Sequence, residues 1–164
     1  MKTVLLIRHA KSSWENFLVS DEERPLNDRG RKNAPEMAKR LKKRGIEIDV
    51  ILSSPAKRAL TTAEYFAEVY GIKKNKLVVI PDLYMASLQA FEHAIRNAPA
   101  TATHIALFSH NNGITDFSNK LTSTRIDNMP TCAVFAVRCR ITDWSDFEVG
   151  TNEFYFFDSP KSES

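Results

Sequence analysis

The chain has 164 residues, with 23 basic and 20 acidic side chains and a formal net charge of +3. That is the length of one domain with a self-sufficient core, and the charge excess is too small to argue for a nucleic-acid partner. No apolar run approaches the ~20 residues that span a bilayer, and Met1-Lys2 leads straight into apolar residues without a small-residue cleavage site, so neither a membrane span nor a secretory signal is expected.

Val4 to Ile7 is an unbroken apolar run that stops at Arg8-His9. It reads as a strand buried on both faces, as in the parallel sheet of an α/β domain. Ser12 to Glu23 is polar and irregular and reads as a loop over the sheet's carboxyl edge. Asn27 is the expected N-cap of a helix to Arg44, with Gly45 as its stop and Ala34, Met37, Ala38 and Leu41 as its apolar stripe. Pro35 inside that pattern should kink the helix or mark the start of its regular part. The dense basic run Lys39 to Arg44 reads as a solvated helix end, where cations suit the macrodipole.

Val50 to Leu52 is a second strand. Ser53 or Ser54 is the expected cap of a helix to Tyr70, with Gly71 at its end. Leu77 to Ile80 is a short strand broken by Pro81. Ser87 caps a helix to about Asn97 that buries Leu88, Phe91 and Ile95. His104 to Ser109 is a fourth inner strand, followed by a helix over Asn112 to Leu121. Ala133 to Arg138 and Glu153 to Phe157 read as closing strands. The expected domain covers 1–158, and 159–164 reads as a disordered tail. Cys132 and Cys139 are seven apart on one strand region, an odd separation that puts them on opposite faces, so no disulfide is expected. No His or Cys set has zinc-ligand spacing. A reduced, cytoplasmic protein without a structural metal is the expectation.

Three strand ends deliver chemistry to the carboxyl edge of the sheet, where open α/β folds bind ligands. They carry Arg8 with His9, Arg58 just beyond the second strand, and His110 after Ser109. Each has an ordinary alternative: a capped strand end, an exposed helix arginine, a surface histidine. Together, two arginines offer planar forks that match phosphate oxygens bidentately. An imidazole can attack phosphorus and split one displacement into two easier ones. His93 and His104 fall on a helix face and at a strand start and read as structural or solvated. Trp14 and Trp144 read as packing residues.

Arg8-His9-Ala10, Ser53-Ser54-Pro55-x-x-Arg58-Ala59-x-x-Thr62-Ala63, Ser109-His110-Asn111 and Arg24-Pro25-Leu26-x-x-x-Gly30 resemble, in this order, the signatures of the histidine phosphatase superfamily, the phosphoglycerate-mutase-like fold. The resemblance runs from Lys2 to about Phe157, and the short length is similar to the SixA-like branch of phosphohistidine phosphatases. It implies a three-layer α/β/α sandwich with a mostly parallel central sheet. It also implies roles. His9 would be the nucleophile, Arg8 and Arg58 would bind phosphoryl oxygens, and His110, as imidazolium, would stabilise the transition state. Arg24 would contact phosphate further, with Ser12 and the Asn111 backbone N–H as additional donors. Asp82, after the third strand, is the nearest equivalent of a general acid and reads equally well as a turn residue beside Pro81. No metal and no cofactor are implied.

The expected function is therefore a metal-independent phosphatase acting on phosphohistidine of a protein. The alternatives are the same chemistry on small phosphoesters or phosphoserine and phosphothreonine proteins, with Asp82 as acid, and a non-catalytic phosphate-binding module. A phosphorylated protein or small phosphorylated molecule is the expected partner, with no nucleic acid and no membrane. Oligomeric state has no sign in the sequence.

Overall fold

The computed structural model describes residues 1–161. Its centre is a six-stranded sheet. The strands are β1 (Lys2–Arg8), β2 (Val50–Ser53), β3 (Leu77–Val79), β4 (His104–Ser109), β5 (Val134–Cys139) and β6 (Glu153–Asp158), in the order β3-β2-β4-β1-β5-β6. β1 to β4 run parallel to one another, and β5 and β6 close one side antiparallel.

The four α-helices are α1 (Asp28–Lys43), α2 (Lys57–Tyr70), α3 (Leu88–Arg96) and α4 (Gly113–Leu121). Side chains alternate along β1. Leu5 and Ile7 join α1 and α2 in one apolar cluster, and Val4 and Leu6 join α3 and α4 in the other. This is the expected three-layer sandwich, and it explains why β1 reads as continuously apolar: both of its faces are covered. Cys139, on β5, falls in one cluster and Cys132, in the turn before that strand, in the other, and both are free.

Several local expectations change. α1 runs through Pro35 and is capped by Asn27, whose side chain accepts from Gly30 N–H. Its basic end is not simply solvated. Arg40 and Arg44 both pair with the buried Asp158, and Arg40 also donates to the carbonyl of Ser159 and, at 3.4 Å, to that of Pro160. The tail expected from Ser159 thus begins as a docked segment; residues 162–164 lie outside the described residues. Ser54 does not cap α2, whose N-cap position is Ala56 without a side-chain cap. Trp14 is 73% exposed rather than packed inside, whereas Trp144 is buried and donates its Nε1–H to the Ala102 carbonyl.

Gly30 has a positional reason. A Cβ there would come within 2.2 Å of the Lys11 carbonyl oxygen. α1 therefore crosses the segment just after His9 at backbone contact, which only glycine permits.

Candidate active site

The strand register builds the site. Arg8 of β1 pairs with Ser109 of β4, and His9 N–H donates to the Ser109 carbonyl at 3.1 Å. Each strand then leaves the sheet carrying a histidine, so the His9 and His110 rings come to 5.2 Å between centroids. The other backbone N–H groups of this segment are also committed, Arg8 N–H to the Ala133 carbonyl and Ala10 N–H to Thr62 Oγ1. Thr62 Oγ1 in turn donates to the Arg58 carbonyl at 2.7 Å. One hydroxyl thus fastens the first turn of α2 to the segment that carries His9, and the buried Ala59 and Ala63 let that helix lie close.

His9 is buried, and its Nδ1–H donates to the Ala10 carbonyl at 2.7 Å. A carbonyl can only accept, so Nδ1 carries the proton and Nε2 keeps its lone pair. Burial, with His110, Arg58 and Arg8 nearby, pushes the His9 pKa down to about 3, against the opposing pull of the Ala10 carbonyl. The ring is neutral near pH 7. His110 is likewise lowered, to about 4, first by burial and then by Arg58. Without an anion bound, His110 is neutral near pH 7.

Arg8 donates to the Met129 carbonyl at 2.8 Å, and burial and Arg58 lower its pKa. Arg58 is buried, with NH1 donating to the Asp21 carbonyl and NH2 to Asp21 Oδ2. Among the described residues, three buried side-chain polar atoms have no hydrogen-bond partner: Arg8 Nε, Arg58 Nε and His110 Nδ1. All three belong to this cluster. Leaving such an atom unpaired costs about 1–3 kcal/mol, so the arrangement suits an anion that would accept from them.

Asp21 was not anticipated. It lies in a 3₁₀ turn over Asp21–Glu23, and its carboxylate takes Arg24 Nε, Arg58 NH2 and the Tyr84 hydroxyl, the last at 2.6 Å. The Tyr84 hydrogen bond, followed by Arg58 and Arg24, holds its pKa down at about 2. The spacing of Asp21 three residues before Arg24 was a usable signal. Tyr84 stands edge-on to His110 and had no sequence signal.

Arg24 is held from several sides. NH1 donates to Ser12 Oγ at 2.7 Å, and the guanidinium lies 3.5 Å from the Trp14 ring centroid. Ser12 therefore receives a hydrogen bond from Arg24. The Asn111 side chain is engaged by Asn128 and Thr115, and its backbone follows His110 directly. Asp82 is the residue the structure does not bring in. It is exposed in the 3₁₀ turn Pro81–Leu83, with no hydrogen bond or ion pair to a site residue among the described residues. His93 and His104 also lie elsewhere, beside Asn97 and Glu47. No group of His, Cys, Asp or Glu suited to hold a metal occurs among the described residues, and no helix there is long and apolar enough to cross a membrane.

The fold and the order of the site motifs are similar to those of the histidine phosphatase superfamily, a class of phosphoryl-transfer enzymes. Residues 4–84, just under half of the chain, match the family model described as histidine phosphatase superfamily (branch 1). An uncharacterised chloroplastic protein of Arabidopsis thaliana is 28% identical over 154 residues, covering 88% of this chain and 70% of that one. A 2,3-bisphosphoglycerate-dependent phosphoglycerate mutase of Staphylococcus carnosus is 37% identical over 81 residues, covering 48% of this chain but only 34% of the mutase. Among solved structures, the protein histidine phosphatase SixA complexed with tungstate superposes with a TM-score of 0.79 at 24% identity, covering 96% of this chain and 97% of that one. That last likeness concerns the fold.

Proposed function

We propose that the chain is a metal-independent phosphatase that passes the phosphoryl group through His9, with phosphohistidine on a protein as its substrate. The observation that carries this reading is the set of three buried unpaired atoms, Arg8 Nε, Arg58 Nε and His110 Nδ1, grouped with a neutral His9 whose proton is held on Nδ1.

Phosphoryl transfer spreads charge over the equatorial oxygens, so catalysis is mostly positioning and electrostatic stabilisation. In this scheme the His9 Nε2 lone pair forms the new N–P bond as the bond to the substrate's leaving atom breaks. Arg8, Arg58 and His110 receive the oxygens. Water then attacks phosphorus, the N–P bond breaks, and His9 is regenerated as inorganic phosphate leaves. Arg24, Ser12 and the Asn111 backbone are further candidates for contact with the phosphoryl group or what it is attached to.

The leaving group favours phosphohistidine. Asp82 is exposed and uncoupled from the site, and Asp21 is ionised with three donors on its oxygens. An alkoxide would lack a proton donor. An imidazole, with a reference pKa of ~6.5, leaves as a neutral ring when it already carries a proton. The exposed Trp14, Phe17, Leu18 and Met85 on the two loops joined by the Asp21–Tyr84 bond form an apolar rim of the kind that suits contact with another protein. The phosphoester reading with Asp82 as acid lacks this support. The binding-module reading leaves the protonation state of His9 without a use.

The test is phosphate release from a phosphohistidine peptide and an aryl phosphate beside a His9→Ala control, with an alkaline denaturing quench to trap labelled protein. Acid-labile label on the wild type and none on the variant is expected. Release no faster than the variant's defeats the proposal.

A further inference from the structure

Ser53 or Ser54 was expected to cap α2; neither does, and the Ser54 hydroxyl is used otherwise. The residue is fully buried, and its Oγ accepts from Ala56 N–H at 3.2 Å and lies 2.7 Å from His110 Nε2. A hydroxyl has one proton to give. Ala56 N–H is a donor and cannot take it. Among the described residues the one acceptor within reach is His110 Nε2.

From this proton inventory we infer that Ser54 is a positioning residue: its hydroxyl donates to His110 Nε2 and locks the neutral ring in the tautomer that carries its proton on Nδ1. Resting on the phosphatase reading, the consequence is that a neutral His110 presents an N–H to the phosphoryl oxygens. Nδ1 is the buried ring atom without a protein partner, in the same cluster as Arg8 Nε and Arg58 Nε. The other tautomer would fail twice. Nε2–H and Ala56 N–H would both point at Ser54 Oγ, leaving the hydroxyl proton without an acceptor. Nδ1 would then turn a lone pair, rather than a donor, toward the oxygens. Protonating His110 on both nitrogens meets the first objection too, so the same hydroxyl opposes the imidazolium.

The tautomer is read directly by two-bond ¹H–¹⁵N correlation on ¹⁵N-histidine-labelled protein at pH 7 in phosphate-free buffer. The wild type should show a protonated Nδ1 and an unprotonated Nε2 for His110. Ser54→Ala should bring in the Nε2–H form and lower turnover of the aryl phosphate about tenfold, less than the 10²–10³-fold typical of deleting an oxyanion donor outright. In a His110→Ala background, Ser54→Ala should change turnover no further. A wild-type His110 protonated on Nε2, or a Ser54→Ala protein that loses rate with its tautomer unchanged, overturns the lock. Failure of the phosphatase reading looks different: the wild type releases no phosphate, and the tautomer still decides the lock by itself.

Discussion

His9 and His110 lie 5.2 Å apart between ring centroids because Arg8 and Ser109 are register partners across β1 and β4. Two segments a hundred residues apart in sequence thus end side by side, each delivering its histidine one residue beyond the paired strand. The arginines then close on this pair from α2 and from β1 itself. Each prediction below perturbs one contact of that arrangement.

Arg58→Lys should lower kcat by about 10²–10³-fold on any substrate, the usual cost of removing one preorganised donor. Lysine keeps the charge but has neither the buried Nε–H nor a fork that spans the Asp21 carbonyl and carboxylate. Steady-state kinetics against an aryl phosphate check this, and activity within threefold of wild type would remove Arg58 from the chemistry.

Asp21→Asn separates binding from turnover. The carboxylate is a negative charge sharing Arg58 and Arg24 with any incoming anion. Losing it should tighten inorganic phosphate binding by about threefold, a fraction of a kcal/mol at an exposed pair, while kcat falls because Arg58 is less firmly held. Calorimetric titration with phosphate, set beside kcat, reads both. Asp82→Asn should leave both unchanged, since that side chain touches none of the site residues.

Acid should destabilise the free protein. His9 and His110 are held at about 3 and about 4, below the ordinary histidine value of 6.5. Below pH 6.5 the unfolded chain binds protons at these positions that the folded chain refuses, so stability falls as pH drops toward those values. Asp21, at about 2 against 3.8, adds a further loss below pH 3.8 in the same direction. Urea midpoints at pH 7 and pH 4.5 should differ accordingly, and His9→Gln should narrow the difference. By the same shifts the nucleophile stays neutral well below pH 6.5, so the acid limb of kcat/KM should lie beneath that value.

Gly30→Ala should destabilise by about 1–3 kcal/mol, the usual cost of forcing atoms into a packed contact. The clash is with the Lys11 backbone, not with a side chain that can swing away. The denaturant midpoint measures it, and a neutral result would mean that α1 slides easily.

Much of the fold was legible because strand and helix periods are local properties. β1, β2 and β4, the Asn27 and Ser87 caps and the glycine at the end of α2 can all be read within a few residues. The convergence of Arg8, His9, Arg58 and His110 was legible through motif order. What stayed hidden depends on contacts between distant segments. Asp21 sits in a stretch with no periodicity, and only the folded loop brings it to Arg58 and Tyr84. Asp82 and Ser54 show the converse. Proximity to a strand end suggested an acid and a cap, and the folded contacts assign neither. Arg40 and Arg44 looked solvated because their partner, Asp158, is more than a hundred residues away.

Cys132 N–H reaches the carbonyls of both Arg8 and His9 at 3.0 Å. With the amides of Arg8, His9 and Ala10 already engaged, the nucleophile rides on a backbone that is riveted all round. Adaptation to a new substrate has little scope there. It would fall to the largely exposed stretch from Glu15 to Ser20, between the residues that hold the arginines, whose sequence can drift while the anvil beneath it stays put.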